Sequence, residues 1–133
     1  MLVLSVNETV SSAGVNVSRW ALSNASGEAS LSVGLAGALV QASGVPGALA
    51  VTVTLTEAQR AAAVLLLCGT PGGDGGAVVL DLPPGAVLDL AGNALAASPS
   101  VPVIEAADAS APTVLGASLD YGSGVLVLSV NET

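Results

Sequence analysis

The octapeptide Leu-Val-Leu-Ser-Val-Asn-Glu-Thr occurs twice in this chain, from Leu2 to Thr9 and again from Leu126 to Thr133. The two starts lie 124 positions apart (126 minus 2), so the 133 residues read as one period of a tandem array followed by the opening of the next. Within the octapeptide apolar residues alternate with period two. Leu2, Leu4 and Val6 share one side of a strand, expected to face a core, and Val3, Ser5 and Asn7 share the other, expected to face water.

Similar alternation recurs along the chain. A Ser-Ser-Ala-Gly turn at 11–14 is expected to lead into an extended or mixed segment from Val15 to Leu22, with Trp20 and Leu22 on one parity. Ala29, Leu31 and Val33 alternate with serines, a shorter strand is expected at Ala38 to Gln41, and the strongest runs from Leu49 to Leu55 with threonines on its solvent side. Thr56-Glu-Ala-Gln59 is a capping-box pattern, with Thr56 as N-cap and Gln59 three residues on, and it predicts one short helix. Gly69 to Gly76 is a glycine-rich turn without the lysine of a phosphate loop. Strands are then expected at Ala77 to Leu82, Ala86 to Leu90 and Ser100 to Glu105, the last at a sheet edge because Pro102 lacks an amide donor. Thr113 to Leu119 alternates again, and Asp120-Tyr-Gly-Ser-Gly124 turns it back into the second octapeptide as a hairpin.

The expected fold class is therefore all-β, an Ig-like β-sandwich of about seven strands with one short helix. The small, proline-bearing stretch 106–112 reads as an inter-domain linker. Residues 1–105 then form most of one repeat lacking its first strand, and 113–133 supply the first two strands of the next.

Composition excludes several functions. Two basic residues against ten acidic ones give a net charge of −8, which repels phosphate backbones and anionic lipid, so no nucleic acid is expected as a partner. The apolar fraction of 52% is largely alanine and valine interleaved with small polar residues. Its longest apolar block, Ala61 to Cys68, is far short of the about 20 residues a spanning helix needs, so no membrane insertion is expected. Met1 leads straight into strand-like alternation, without the basic start of a signal peptide. Cys68, the single cysteine, lies in a leucine run and reads as a buried thiol. The chain has no histidine, which removes imidazole-dependent triads and metal sites, and although ten acids formally allow a carboxylate pair for glycoside hydrolysis, they are thinly spread and the chain has only two aromatic residues to line a cleft. No enzymatic activity is expected.

Particular stretches resemble a known family. These are Ala111-Pro-Thr-Val114, Leu119-Asp-Tyr-Gly-Ser-Gly124, Leu126-Val-Leu-Ser129, Thr54-Leu-Thr-Glu-Ala-Gln-Arg60 and Asp89-Leu-Ala-Gly-Asn-Ala94. Together they resemble the bacterial Ig-like repeats of the S-layer type, found in tandem arrays of extracellular proteins of bacteria and algae. The chain departs from that pattern at Val6 and Val130, where family members usually carry an aromatic residue. The resemblance implies a sandwich in an array without naming a ligand.

Two sets of residues are candidates for chemistry. Asn7, Asn16 and Asn24 each open an Asn-x-Ser/Thr sequon, and Asn131 repeats the first; four of the five asparagines thus sit in glycosylation motifs. N-linked glycans are the expected modification, and they would shield exposed sheet edges from association. Glu105, Asp108 and Asp120, near the linker, are weak candidates for Ca²⁺, with Glu8 and Asp89 approaching the same end; they lack any recognised calcium spacing. No other cofactor is expected.

The sequence therefore points to a structural repeat unit of an N-glycosylated extracellular fibre or surface layer, with neighbouring copies of the same repeat joined head to tail as its partners. The duplication favours covalent repeats over subunits exchanging strands, since a donated second octapeptide competes with the acceptor's own first one. The alternative is an adhesive or carbohydrate-binding surface module, for which only Trp20 and Tyr121 supply aromatic rings.

Overall fold

In the computed structural model, the described residues are 1–25, 31–42, 49–67 and 75–131. They form an all-β structure of several antiparallel sheets with one short α-helix. The first sheet joins β1 (Leu2–Ser5), β6 (Ala50–Thr54) and β5 (Leu39–Ala42) in the order β1-β6-β5. A second pairs β2 (Val10–Val15) with β8 (Val87–Asp89). The third is four-stranded, in the order β4-β3-β7-β9, from β4 (Ser32–Gly34), β3 (Ala21–Ser23), β7 (Val79–Leu82) and β9 (Ser98–Pro102). The fourth is the hairpin of β10 (Val114–Asp120) and β11 (Val125–Val130).

One apolar cluster collects side chains from the first three sheets: Val51 and Val53 from β6, Val10 and Val87 from the β2/β8 pair, and Leu22, Val33, Leu80 and Leu82 from the four-stranded sheet. Trp20, just before β3, is 1% exposed, and its indole Nε1 donates to the Ala86 carbonyl at 3.2 Å, so the one large ring of the core has its polar edge satisfied. Leu2, Leu4 and Val6 pack half-buried against this cluster while Asn7 is exposed, as the alternation of the octapeptide requires.

The helix α1 (Glu57–Leu66) starts where its capping box lies: Thr56 Oγ1 accepts from the Gln59 amide, and Gln59 Oε1 accepts from the Thr56 amide at 2.9 Å. It is ten residues long, a short helix as the capping box led one to expect.

Several sequence expectations are corrected. Ser11 to Gly14 is not a turn but lies inside β2. That strand bulges strongly, with Val10 opposite Asp89 and Val15 opposite Val87, so small residues there mark a distorted strand rather than its end. Gly14 sits where a Cβ would stand 2.5 Å from the Leu88 carbonyl oxygen, which only glycine tolerates. The Val15 to Leu22 segment is mixed, as expected: the end of β2, a 3-10 turn at Val17–Arg19 and the start of β3. The strand expected at Ser100 to Glu105 lies two residues earlier, as β9. Asp81 explains the shift: its Oδ1 accepts from the Ser100 amide at 2.9 Å and holds Ser100 at φ 56 in a bulge between the Leu80 and Leu82 pairings. β9 does lie at a sheet edge, as Pro102 suggested. Ala29, Cys68 and the turn at 69–74 lie outside the described residues, among which eleven short strands are spread over four sheets, two of those strands in the hairpin at 114–130.

Candidate functional site

The second octapeptide builds the hairpin end. Asn131, one residue past β11, donates its amide to the Thr113 carbonyl at 3.1 Å, and its side-chain Oδ1 accepts from the Thr113 amide at 2.8 Å. At the other end Asp120 orders the turn: Oδ1 accepts from the Gly122 amide at 2.8 Å and Oδ2 from the Ser123 hydroxyl at 2.6 Å. The Ser123 hydroxyl, then the Gly122 amide, hold the Asp120 carboxyl below the usual carboxylate range. Every residue from Ala106 to Asn131 is exposed, including Leu126, Leu128 and Val130.

The sequon asparagines occupy different settings. Asn7 and Asn131 are exposed, as is Asn16, whose Oδ1 accepts from the hydroxyl of its own sequon residue Ser18 at 2.5 Å. Asn24 is half-buried in a bend, and Ser26 of its sequon lies outside the described residues, as do Glu132 and Thr133. The structure leaves Asn7, Asn16 and Asn131 open to solvent and Asn24 less so.

The candidate calcium ligands are engaged separately. Asp108 Oδ2 takes Arg60 Nη1 at 3.0 Å, and its Oδ1 accepts from the Ser110 amide at 3.0 Å. Arg60 in turn holds Glu57 at 2.9 Å, and Glu57 is the main cause of a guanidinium pKa raised above its usual value. Asp120 serves its own turn. Glu105 is half-buried, and among the described residues no three acidic or cysteine side chains converge in a way that could hold a metal.

Asp89 and Asn93 close the turn between β8 and Leu95. The Asp89 carboxylate accepts from the Asn93 amide at 2.8 Å and from its Nδ2 at 2.7 Å, while the Asp89 amide donates to the Asn93 carbonyl at 3.0 Å. Gly92, at φ 88, supplies the left-handed residue between them. The Asn93 side chain is the chief cause of an Asp89 carboxyl held below its usual range. Beside this turn lies an open pocket of about 270 Å³ lined by Asn7, Glu8, Val10, Asp89, Asn93 and Leu95. The Asp89 and Asn93 side chains of the Asp-x-Ala-Gly-Asn motif thus bond to each other across their own loop, while the Leu90 amide donates to the Thr9 carbonyl at 3.3 Å.

Two roles were not visible in the sequence. Gln59 does more than cap: its Nε2 donates to the Gly34 carbonyl at 3.1 Å and the Ala36 carbonyl at 2.8 Å, latching α1 to the loop after β4. Trp20, counted among the rings for adhesion, is buried, whereas Tyr121 at the hairpin tip is 91% exposed.

The remaining feature is an edge. β1 pairs with β6 on one side, Leu2 opposite Val53 and Leu4 opposite Val51, and among the described residues it ends the sheet on the other. The same residues in β11 pair with β10, Leu126 opposite Leu119 and Leu128 opposite Ala117.

No family model, curated protein or solved structure matches this chain.

Proposed function

We propose that the chain is a structural repeat unit, an Ig-like sandwich domain of the S-layer type, carried head to tail in an N-glycosylated extracellular fibre or surface layer. The observation that carries this reading is the hairpin. The second octapeptide is folded as a strand with its own partner, β10, and it presents outward the leucines whose counterparts at Leu2 and Leu4 pack against a core. Such a hairpin suits the opening of a further domain better than the close of this one. A two-stranded ribbon with both faces in water is of marginal stability by itself.

Solvent-facing Asn7, Asn16 and Asn131 support attachment of glycans, which would also shield a sheet whose edge is unprotected by charge. The burial of Trp20 weighs against the adhesive alternative, since it leaves Tyr121 as the aromatic available for sugar stacking. The domain acts through shape and repetition, with no reaction to perform.

The test is made on protein from its native source. Digestion with an amidase that releases N-glycans should lower the intact mass, and a denaturing gel should show a species many periods long. An unchanged mass removes the glycoprotein reading. A band near one period removes covalent repetition.

A further inference from the structure

The two octapeptides use opposite edges. The Val6 amide donates to the Leu49 carbonyl at 2.9 Å, on the β6 side, and amides alternate along a strand, so those of Ser5 and Val3 point to the bare edge of β1. In the second copy the Asn131 amide donates to Thr113, on the β10 side, so those of Ser129 and Val127 point to β10. Ser129 and Val127 are the counterparts of Ser5 and Val3. Among the described residues, one copy of the strand therefore has a β6 and lacks a β10; the other has a β10 and lacks a β6. Each shows the other's missing neighbour.

The apolar faces agree. Leu126, Leu128 and Val130 are 60%, 58% and 48% exposed, while Leu2, Leu4 and Val6 are packed against the cluster that contains Val51 and Val53. Across the hairpin Leu119 and Ala117 lie opposite Leu126 and Leu128, so they share the inward side.

We propose that the β10–β11 hairpin of one copy of this chain takes the β1 seat on β6 of a second copy. The inference rests on the head-to-tail repeat reading and supplies its joint. Leu126 then lies opposite Val53, Val127 opposite Thr52, Leu128 opposite Val51 and Ser129 opposite Ala50, the pairings that Leu2 to Ser5 make at present. Because the residues are identical, β11 keeps every contact of the seat. It also brings β10, which extends the sheet to the order β10-β11-β6-β5 and covers the bare edge. Competition with the resident strand, which counts against exchange in the sequence, is weak here: β1 is four residues long and paired on one side. The occupant is a second copy rather than an unrelated protein because the fit is residue for residue. Donor and acceptor surfaces differ, so the contact is heterologous and repeats into an open filament.

Disulfide trapping tests the joint in the whole chain, with Cys68→Ser as background. Val3 and Thr52 face each other in a pair without mutual hydrogen bonds, where side chains approach closely enough for a disulfide. Val3→Cys with Thr52→Cys should close within each molecule and keep the chain monomeric. Thr52→Cys with Val127→Cys should instead lose its monomer band on oxidation to a ladder of multiples that collapses on reduction. A Thr52→Cys, Val127→Cys chain that stays monomeric, while the first pair closes, overturns the proposal. So does failure of the first pair to close, since the seat is defined by that register. Unlinked chains alongside native material of many covalent periods would leave the repeat reading standing and remove only the exchange.

Discussion

Asn131 and Thr113 hold each other twice, backbone amide to carbonyl at 3.1 Å and backbone amide to side-chain carboxamide at 2.8 Å. An asparagine read from the sequence as a glycan carrier thus also ties off the open end of the hairpin, with its Oδ1 alone. Asn131→Ala should fray that end by about 1 kcal/mol, seen as faster hydrogen exchange at Thr113 and in β10. Asn131→Asp retains the acceptor and should restore protection while abolishing the sequon. Equal exchange in all three chains would show that the side-chain bond contributes nothing.

Gln59 is 8% exposed and its side chain serves two backbone carbonyls besides the capping box, so its loss leaves the carbonyls of Gly34 and Ala36 and the Thr56 amide without that partner. Gln59→Ala should destabilise the domain by about 2–3 kcal/mol in urea unfolding. Gln59→Glu is the sharper variant. It can still accept from Thr56, but its carboxylate then faces two carbonyl oxygens with nothing to donate, and it should rescue little at pH 7 and more near pH 4, where the acid is protonated.

Gly14 and Gly34 form a matched pair. A Cβ at Gly14 meets the Leu88 carbonyl oxygen at 2.5 Å, whereas one at Gly34 meets nothing within 4 Å. Gly14→Ala should cost about 1–3 kcal/mol by forcing β2 off β8, and Gly34→Ala should be tolerated within about 0.5 kcal/mol. Thermal melts of the two variants check the contrast.

Asp89 and Asp120 both have folded pKa values below the ordinary carboxylate range, the first through Asn93 and the second through Ser123. A depressed folded pKa contributes stability that is complete above the unfolded value of about 4 and is lost as pH falls through the folded one. The melting temperature should therefore drop on acidification from about pH 5 towards pH 3. Asp89→Asn removes one ionisation and should make that drop shallower. An unchanged slope would separate Asp89 from acid unfolding.

Where the sequence was legible, a local rule was strong enough to decide. The period-two pattern placed Leu2, Leu4 and Val6 against the core, the capping box set the start of α1, and Asp120-Tyr-Gly-Ser-Gly marked a tight turn between paired strands. Local rules misled where a distant partner intervened. Ser11 to Gly14 has turn composition, yet Leu88 across the sheet keeps it in β2. Ser100 starts no strand because Asp81, nineteen residues back, pins it in a bulge within one. The candidate site follows the same division: exposure of Asn7 came from strand parity, whereas the double role of Asn131 needs Thr113 brought beside it by folding.

Arg60 stands on α1 yet reaches Asp108, 48 residues on, in the stretch between β9 and β10. Surface ion pairs of this kind are weak and are screened by salt. In a chain of many such units, however, the same small bias would act at every joint, and identical bends accumulate into a coil of defined pitch where free hinges would average to a flexible thread. Under the proposed repeat arrangement the pitch of such a coil would respond to ionic strength, and a single arginine would help determine shape on a scale far larger than the unit that carries it.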